Sequence, residues 1–268
     1  SQEAVYEQTN GKIFLTGNAE ITQAQTFVKG DALTAELFPN KKVKNAFARG
    51  SAYLKQTETD RTTEVSANEL NAFYAENQQI QNANAVGSAT VLMIPAQAQD
   101  YNRVTMVAPA AVRLAFANNV LQQMQTDGRT AIVMTAPANK PDAANRKLTA
   151  DTVKTVLNSN GKDLLRAEAV GNAELYVEPL QALPQNYKTT ITAPRFDCDI
   201  FPGNNAKICI AQKKAKTVQE PMVPGAKRGA RTLTAEKLTA NFNQNSQDIE
   251  RFDASGSAKF SELDRNGL

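Results

Sequence analysis

Few side chains in this sequence can do chemistry, and the most suggestive of them gather late in the chain. Cys198 and Cys209 lie on the two arms of RFDCDIF-PGNN-AKICIAQ, and Asp197 and Asp199 flank the first of them. A four-residue turn at 202–205 pairs Phe201 with Ala206, and counting outward sets Cys198 opposite Cys209, both on the inward parity. Directly opposed strand residues have Cβ atoms about 4.5–5.5 Å apart, so a small local adjustment closes a disulfide in an oxidising compartment. The alternative is a pair of buried free thiols. The two aspartates point outward. Paired carboxylates on a strand suit a glycosidase or a lyase, yet no second catalytic group stands near them, and solvated, edge-protecting charges are the commoner use of such residues.

Composition removes other chemistries. The 268 residues include no histidine, which excludes Ser-His-Asp and Cys-His nucleophiles, HExxH zinc sites and His-rich metal sites. No catalytic residue, metal site or cofactor is expected. A net charge of +3 over the whole chain is too weak to argue for nucleic acid. The longest apolar run, VLMIPA (91–96), falls far short of the roughly 20 residues that span a bilayer. The chain opens at Ser1 without a methionine, which leaves room for a signal or membrane anchor removed upstream.

The elements that position these residues repeat. A Gly, a small or polar residue and an Ala, with an apolar residue two positions on, recur as GNAEI (17–21), GSAYL (50–54), GSATV (87–91), GNAEL (171–175) and GSAKF (256–260). GRTAIV (128–133) and KKAKT (213–217) are weaker copies. The anchoring alanines Ala19, Ala52, Ala89, Ala131, Ala173, Ala215 and Ala258 are 33 to 43 residues apart, a beat of about seven repeats of roughly 40 residues. A second motif keeps the same beat, from VKGDALTAEL (28–37) and VSANELNAFY (65–74) to LTAEKLTANF (233–242). Its apolar and polar residues alternate with period two, the pattern of half-buried strands, and a turn signal follows each copy. Longer, proline-bearing connectors recur from 95–102 onward. The expectation is an all-β chain: residues 1–10 as an N-terminal extension, 11–263 as one continuous domain of stacked antiparallel units, and 264–268 as a tail.

The inward mixture is unusual for a solid core. Small residues crowd one strand (Ala46, Ala48, Gly50, Ala52; Ala83, Ala85, Gly87, Ala89) while larger apolar ones face them. A solid β-core interdigitates large residues from both layers. A column of alanine and glycine either lets sheets pack closely or leaves width for an acyl chain, and periodicity alone does not separate the two.

The ordered series GKIFLTGNAEI, VKGDALTAEL, ARGSAYL, VSANELNAFY and NAVGSATV, recurring over 148–177 and 233–260, resembles the OstA/LptA–LptC family of lipopolysaccharide-transport proteins. The resemblance implies an elongated, semi-open antiparallel β-jellyroll, or β-taco, whose interior holds lipopolysaccharide acyl chains in the periplasm. It implies no enzymatic activity. It makes Ile21, Leu54, Val91, Val133, Leu175 and Phe260, after the anchoring alanines, candidate acyl-chain contacts. Leu37, Tyr74, Phe116, Leu157, Ile200 and Phe242, at the ends of the long strands, join them. Lys207 and Lys213 share the inward parity of Cys209, with Lys213 where other units carry glycine; with Lys227, Arg228 and Arg231 they are candidate contacts for glycolipid phosphates or acidic sugars, or else a solvated basic patch. The end strands 11–17 and 256–263 are expected to pair with other OstA-like proteins. An inner-membrane ATP-driven exporter would act indirectly, because the chain has no nucleotide motif. The alternatives are an AsmA/TamB-like phospholipid bridge and a structural or adhesive β-solenoid with a dry core.

Overall fold

Period-two alternation over long segments calls for long strands, and the computed structural model forms them, up to the 17 residues of the longest. The structure describes residues 1–97, 101–140, 143–202, 205–223, 229–244 and 249–263. Strands take up 74% of the chain and no helix occurs among the described residues, so the protein is all-β. In chain order the strands are β1 (Glu3–Glu7), β2 (Lys12–Gln23), β3 (Thr26–Leu37), β4 (Val43–Thr57), β5 (Arg61–Tyr74), β6 (Ile80–Val86), β7 (Ala89–Pro95), β8 (Arg103–Ala108), β9 (Ala111–Ala117), β10 (Val120–Asp127), β11 (Thr130–Thr135), β12 (Ala144–Ala150), β13 (Thr152–Leu157), β14 (Leu164–Pro179), β15 (Tyr187–Phe201), β16 (Asn205–Pro221), β17 (Arg231–Phe242), β18 (Ile249–Ser255) and β19 (Lys259–Glu262).

The chain divides into two compact units. The first comprises Ser1–Gln97, Thr105–Gly128 and Val156–Lys162; the second comprises Ala98–Val104, Arg129–Thr155 and Asp163–Leu268. In the first, β1 to β5 form an antiparallel meander. The two halves of β5 then take different partners, Glu69–Tyr74 pairing with β6 and Arg61–Ser66 with β7, and β6 leads on to β9 and β10. In the second, the ladder runs from β11 through β12, β14, β15 and β16 to β17. There β17 repeats the division, with Lys237–Phe242 on β18 and Arg231–Thr234 on β19.

The glycine motif marks the point where these strands bend. In β4, Gly50 (φ 70°) and Ser51 (φ 47°) both adopt the left-handed conformation. The register there jumps from Arg49↔Glu69 to Ala52↔Ala67, three residues against two. Such a bulge bends its strand and lets the chain turn from one limb of the sheet into the other. Positive φ pairs recur at Gly17 and Asn18, Gly87 and Ser88, Gly171 and Asn172, and Gly256 and Ser257. The limbs pack on each other: Leu15, Leu33 and Leu70 from one side of the bulges share a cluster with Ala19, Val28 and Ala52 from the other. Within each unit the sheet folds along its bulges around an apolar inner face, as a jellyroll does.

At most of these bulges the residue that follows sits in the crease, where only a small side chain fits. Ala19, Ala52, Ala89, Ala173 and Ala215 are at most 1% exposed. One copy is phased differently from the sequence reading. After Gly128 it is Thr130, 0% exposed, that fills the crease rather than Ala131. Two residues after the glycine is the crease position at Gly17, Gly50, Gly87 and Gly171, and in GRTAIV that position belongs to the threonine; in the last copy Ala258 is exposed.

The N-terminal extension also departs from expectation. Glu3–Glu7 forms a strand, exposed along its length, that pairs with Lys12–Thr16.

Candidate functional site

The inner face of the first unit is built from rows of residues that face each other across successive strands. On one limb, Leu15, Leu33, Ala48, Leu70, Ala85 and Val112 stand in register. On the other limb the row is Ile21, Val28, Leu54, Val65 and Val91. Three of the candidate acyl contacts, Ile21, Leu54 and Val91, therefore lie side by side. Leu37, Tyr74 and Phe116 sit at the strand ends, opposite Val43, Ile80 and Leu121. Leu157, at the end of β13, is buried. Tyr74 turns its phenol into apolar surroundings, and burial raises its pKa above the ordinary tyrosine value.

The second unit repeats the arrangement. Ile132, Leu148, Leu175, Ile191, Thr217, Leu233 and Phe260 form one row. Leu175 and Phe260 fall where the motif places them, but Val133 does not. It faces Lys147 on the opposite side of the sheet, and Ile132 takes the inner position against Ala150, Val153 and Ala173. The cause is the one-residue phase shift at Thr130, since a slip of one residue moves every side chain to the other face. Ile200 and Phe242 end the other limb, opposite Ala206 and Ile249.

These apolar rows are not sealed. At their ends Ile21 is 47% and Phe260 63% exposed. The inner residues shielded completely from solvent are mostly the crease alanines, and the largest fully buried side chains among the described residues are Val153, Thr126 and Thr130.

Cys198 and Cys209 are joined in a cross-strand disulfide, their Cα atoms 4.2 Å apart. The register differs slightly from the count made on sequence. Phe201 pairs with Asn205 and Ile200 with Ala206, and a bulge at Lys207 restores Asp199↔Ile208 and Cys198↔Cys209. Lys207 is thus skipped by the ladder and exposed, its Nζ 5.8 Å from the Phe201 ring centroid. Lys213 is skipped as well. It and Lys214 are the bulge residues of β16, exposed, with φ of 65° and 64°. Neither Lys207 nor Lys213 keeps the inward parity of Cys209, because each bulge resets the alternation. Arg231 stacks over Tyr187 at 4.9 Å from the ring centroid, whereas Lys227, Arg228 and the tail 264–268 lie outside the described residues.

The outward carboxylates separate into two kinds. Asp199 is exposed. Asp197, 9% exposed, receives Arg195 Nε at 2.7 Å and Gln212 Nε2 at 2.9 Å on Oδ2, and on Oδ1 an Arg195 terminal N–H at 2.7 Å and one from Arg166 at 3.2 Å. Glu168 completes the network, 3.2 Å from both arginines. Hydrogen bonding from Arg195, then from Arg166, lowers the Asp197 pKa against the opposing effect of burial. A general acid needs the reverse shift, so this carboxylate ties strands together. The sequence alone singles out both aspartates but neither Arg195, two residues earlier on the same strand, nor Arg166 across the ladder on β14.

At the termini, Lys12–Thr16 is paired on both sides, with Glu3–Glu7 and with Ala32–Glu36. Segment 11–17 is therefore no free edge; the outer edge at that end belongs to β1. Lys259–Glu262 pairs with Arg231–Thr234.

Compared with models of known protein families, with curated proteins and with solved structures, the chain matches none significantly.

Proposed function

We propose that this chain is a non-enzymatic carrier of acylated lipid, a periplasmic bridge of the OstA-like kind that shelters lipopolysaccharide acyl chains against its inner face. One observation carries the reading: of the described Leu, Ile and Phe side chains only Leu33, Leu157 and Leu238 are buried, and the others that line the inner rows stay partly exposed. A dry solenoid fills its axis with sealed ladders of such side chains. Here the crease is filled by alanine, and most of the larger apolar groups on the inner rows remain partly exposed. Each methylene transferred to such a surface gains about 0.8 kcal/mol, so a tail of a dozen carbons gains roughly 10 kcal/mol before the costs of ordering it.

The disulfide fits an oxidising, non-cytoplasmic compartment, as a periplasmic carrier requires. Neighbouring OstA-like chains would add to the edges at β1 and β19. An ATP-driven exporter in the inner membrane would supply direction.

In-cell photocrosslinking tests this. A photoreactive residue replaces Leu54 or Leu175 on the inner rows, with exposed Lys55 and Lys237 on the opposite face as controls. The expected result is a lipopolysaccharide adduct at the inner sites alone. Phospholipid adducts there would replace the cargo with that of an AsmA/TamB-like bridge. No lipid adduct in folded, exported protein would overturn the carrier reading in favour of a structural solenoid.

A further inference from the structure

The first unit has a second concave surface, on the face of the sheet opposite its apolar rows. It is a cleft of about 380 Å³ to which Phe73, Asn82, Asn84, Arg113, Gln123 and Gln125 contribute. The strand register explains why they converge. Phe73, Asn82, Ala115 and Gln123 form one row across β5, β6, β9 and β10, and Asn71, Asn84, Arg113 and Gln125 form the next. Strands lie about 4.8 Å apart, so the amides of β6 and β10 face each other across about 10 Å, with β9 as the floor.

The polar groups of this cleft are available. The side chains of Asn82, Asn84, Gln123 and Gln125 donate and accept no hydrogen bond within the protein, whereas Asn71, paired with Asn84 in the same row, is engaged with Glu69. Arg113 is held in place by an ion pair with Asp127. The Phe73 ring is fixed edge-on to Phe47, centroids 6.1 Å apart at 89°, and the guanidinium of Arg49 lies 5.0 Å over Phe47.

We infer that this cleft binds an oligosaccharide. Each carboxamide offers two N–H donors beside a carbonyl acceptor, which matches the neighbouring hydroxyls of a sugar ring, each both donor and acceptor. A fixed aromatic ring beside such amides supplies the apolar surface on which the C–H face of a pyranose rests. Four amides on two strands, with a cation between them, present this pattern over the length of a short saccharide. The inference does not rest on the lipid reading, since it uses the other face of the sheet.

The test is titration calorimetry of the full chain with two probes, maltoheptaose and the lipid-free core oligosaccharide released from lipopolysaccharide by mild acid. Binding of either at millimolar concentration or below is expected, and which one binds separates a neutral glucan from an acidic glycolipid sugar. Asn84→Ala with Gln125→Ala weakens the bound probe about tenfold or more. Phe73→Leu, which keeps apolar packing on Phe47 but removes the ring face, weakens it too. Circular dichroism verifies that these variants fold. Binding of neither probe, or binding unchanged in the folded double variant, overturns the assignment.

Discussion

Gly50 of β4 and Asp31 of β3 approach so closely that a Cβ placed on the glycine would lie 2.8 Å from the aspartate's own Cβ. Two demands meet at this residue, a left-handed backbone and an empty side-chain position. Gly50→Ala is expected to cost about 1–2 kcal/mol for the conformation alone, and more because a Cβ, unlike a carboxylate tip, cannot swing aside. Urea denaturation should show the loss, and Asp31→Gly in the same chain, which removes the opposing Cβ, should recover the steric part only, whereas Asp31→Ala leaves the Cβ contact in place.

Lys213 stands in the same kind of bulge, with φ 65° and no glycine. Lys213→Gly removes a left-handed strain of about 1–2 kcal/mol, offset in part by the greater freedom glycine has in the unfolded chain. A net gain of about 1 kcal/mol is expected in thermal or urea unfolding.

The Cys198–Cys209 disulfide closes a short loop, the two residues being 11 apart in sequence. In the chain-entropy account such a loop contributes roughly 2–3 kcal/mol. Reduction, or Cys198→Ser with Cys209→Ser, should lower the free energy of unfolding by that much. The register on either side is held by ladder pairs, so the far-ultraviolet spectrum should keep its β signature.

Asp197 gives the chain an acid-sensitive component. Its pKa is lowered in the folded state, first by Arg195 and then by Arg166. The stabilisation is therefore fully present above the unfolded carboxylate value of about 3.9 and is lost as pH falls below it, through the lowered folded value. Asp197→Asn should reduce stability at neutral pH and flatten its decline below about pH 4, a difference read from unfolding curves across that range.

Much of this fold is legible in the residues. Alternation yields the strands, and the glycine motif marks each crease. The register across PGNN brings Cys198 to Cys209 even though a bulge at Lys207 intervenes, because a tighter turn compensates for the extra residue. The bulge at Lys213 and Lys214 is not legible, because two lysines there adopt the consecutive positive φ angles that glycine with Asn or Ser adopts elsewhere, and nothing in the sequence marks the register shift at Lys207. Hence simple alternation gives Lys207 and Lys213 a parity they do not keep, and the alanine of GRTAIV, unlike its glycine, gives Val133 the wrong phase. β1 escaped notice because EAVYE is short and exposed throughout. Asn71 and Arg113 read as outward polar residues, but their meeting with Gln125 depends on β5, β6, β9 and β10 lying in that order.

The bulges also bear on how the chain avoids errors while folding. Hairpins so alike in sequence could exchange partners or slide along one another at little cost. Each bulge, however, fits only opposite its own counterpart: Asp31 at Gly50, Asn68 at Gly87, Asp151 at Gly171, Glu236 at Gly256. A strand that slides by two residues keeps its apolar face inward yet sets a left-handed pair against an ordinary stretch of ladder. The creases thus act as notches along the sheet, and a mismatched neighbour costs backbone strain that apolar alternation alone would not impose.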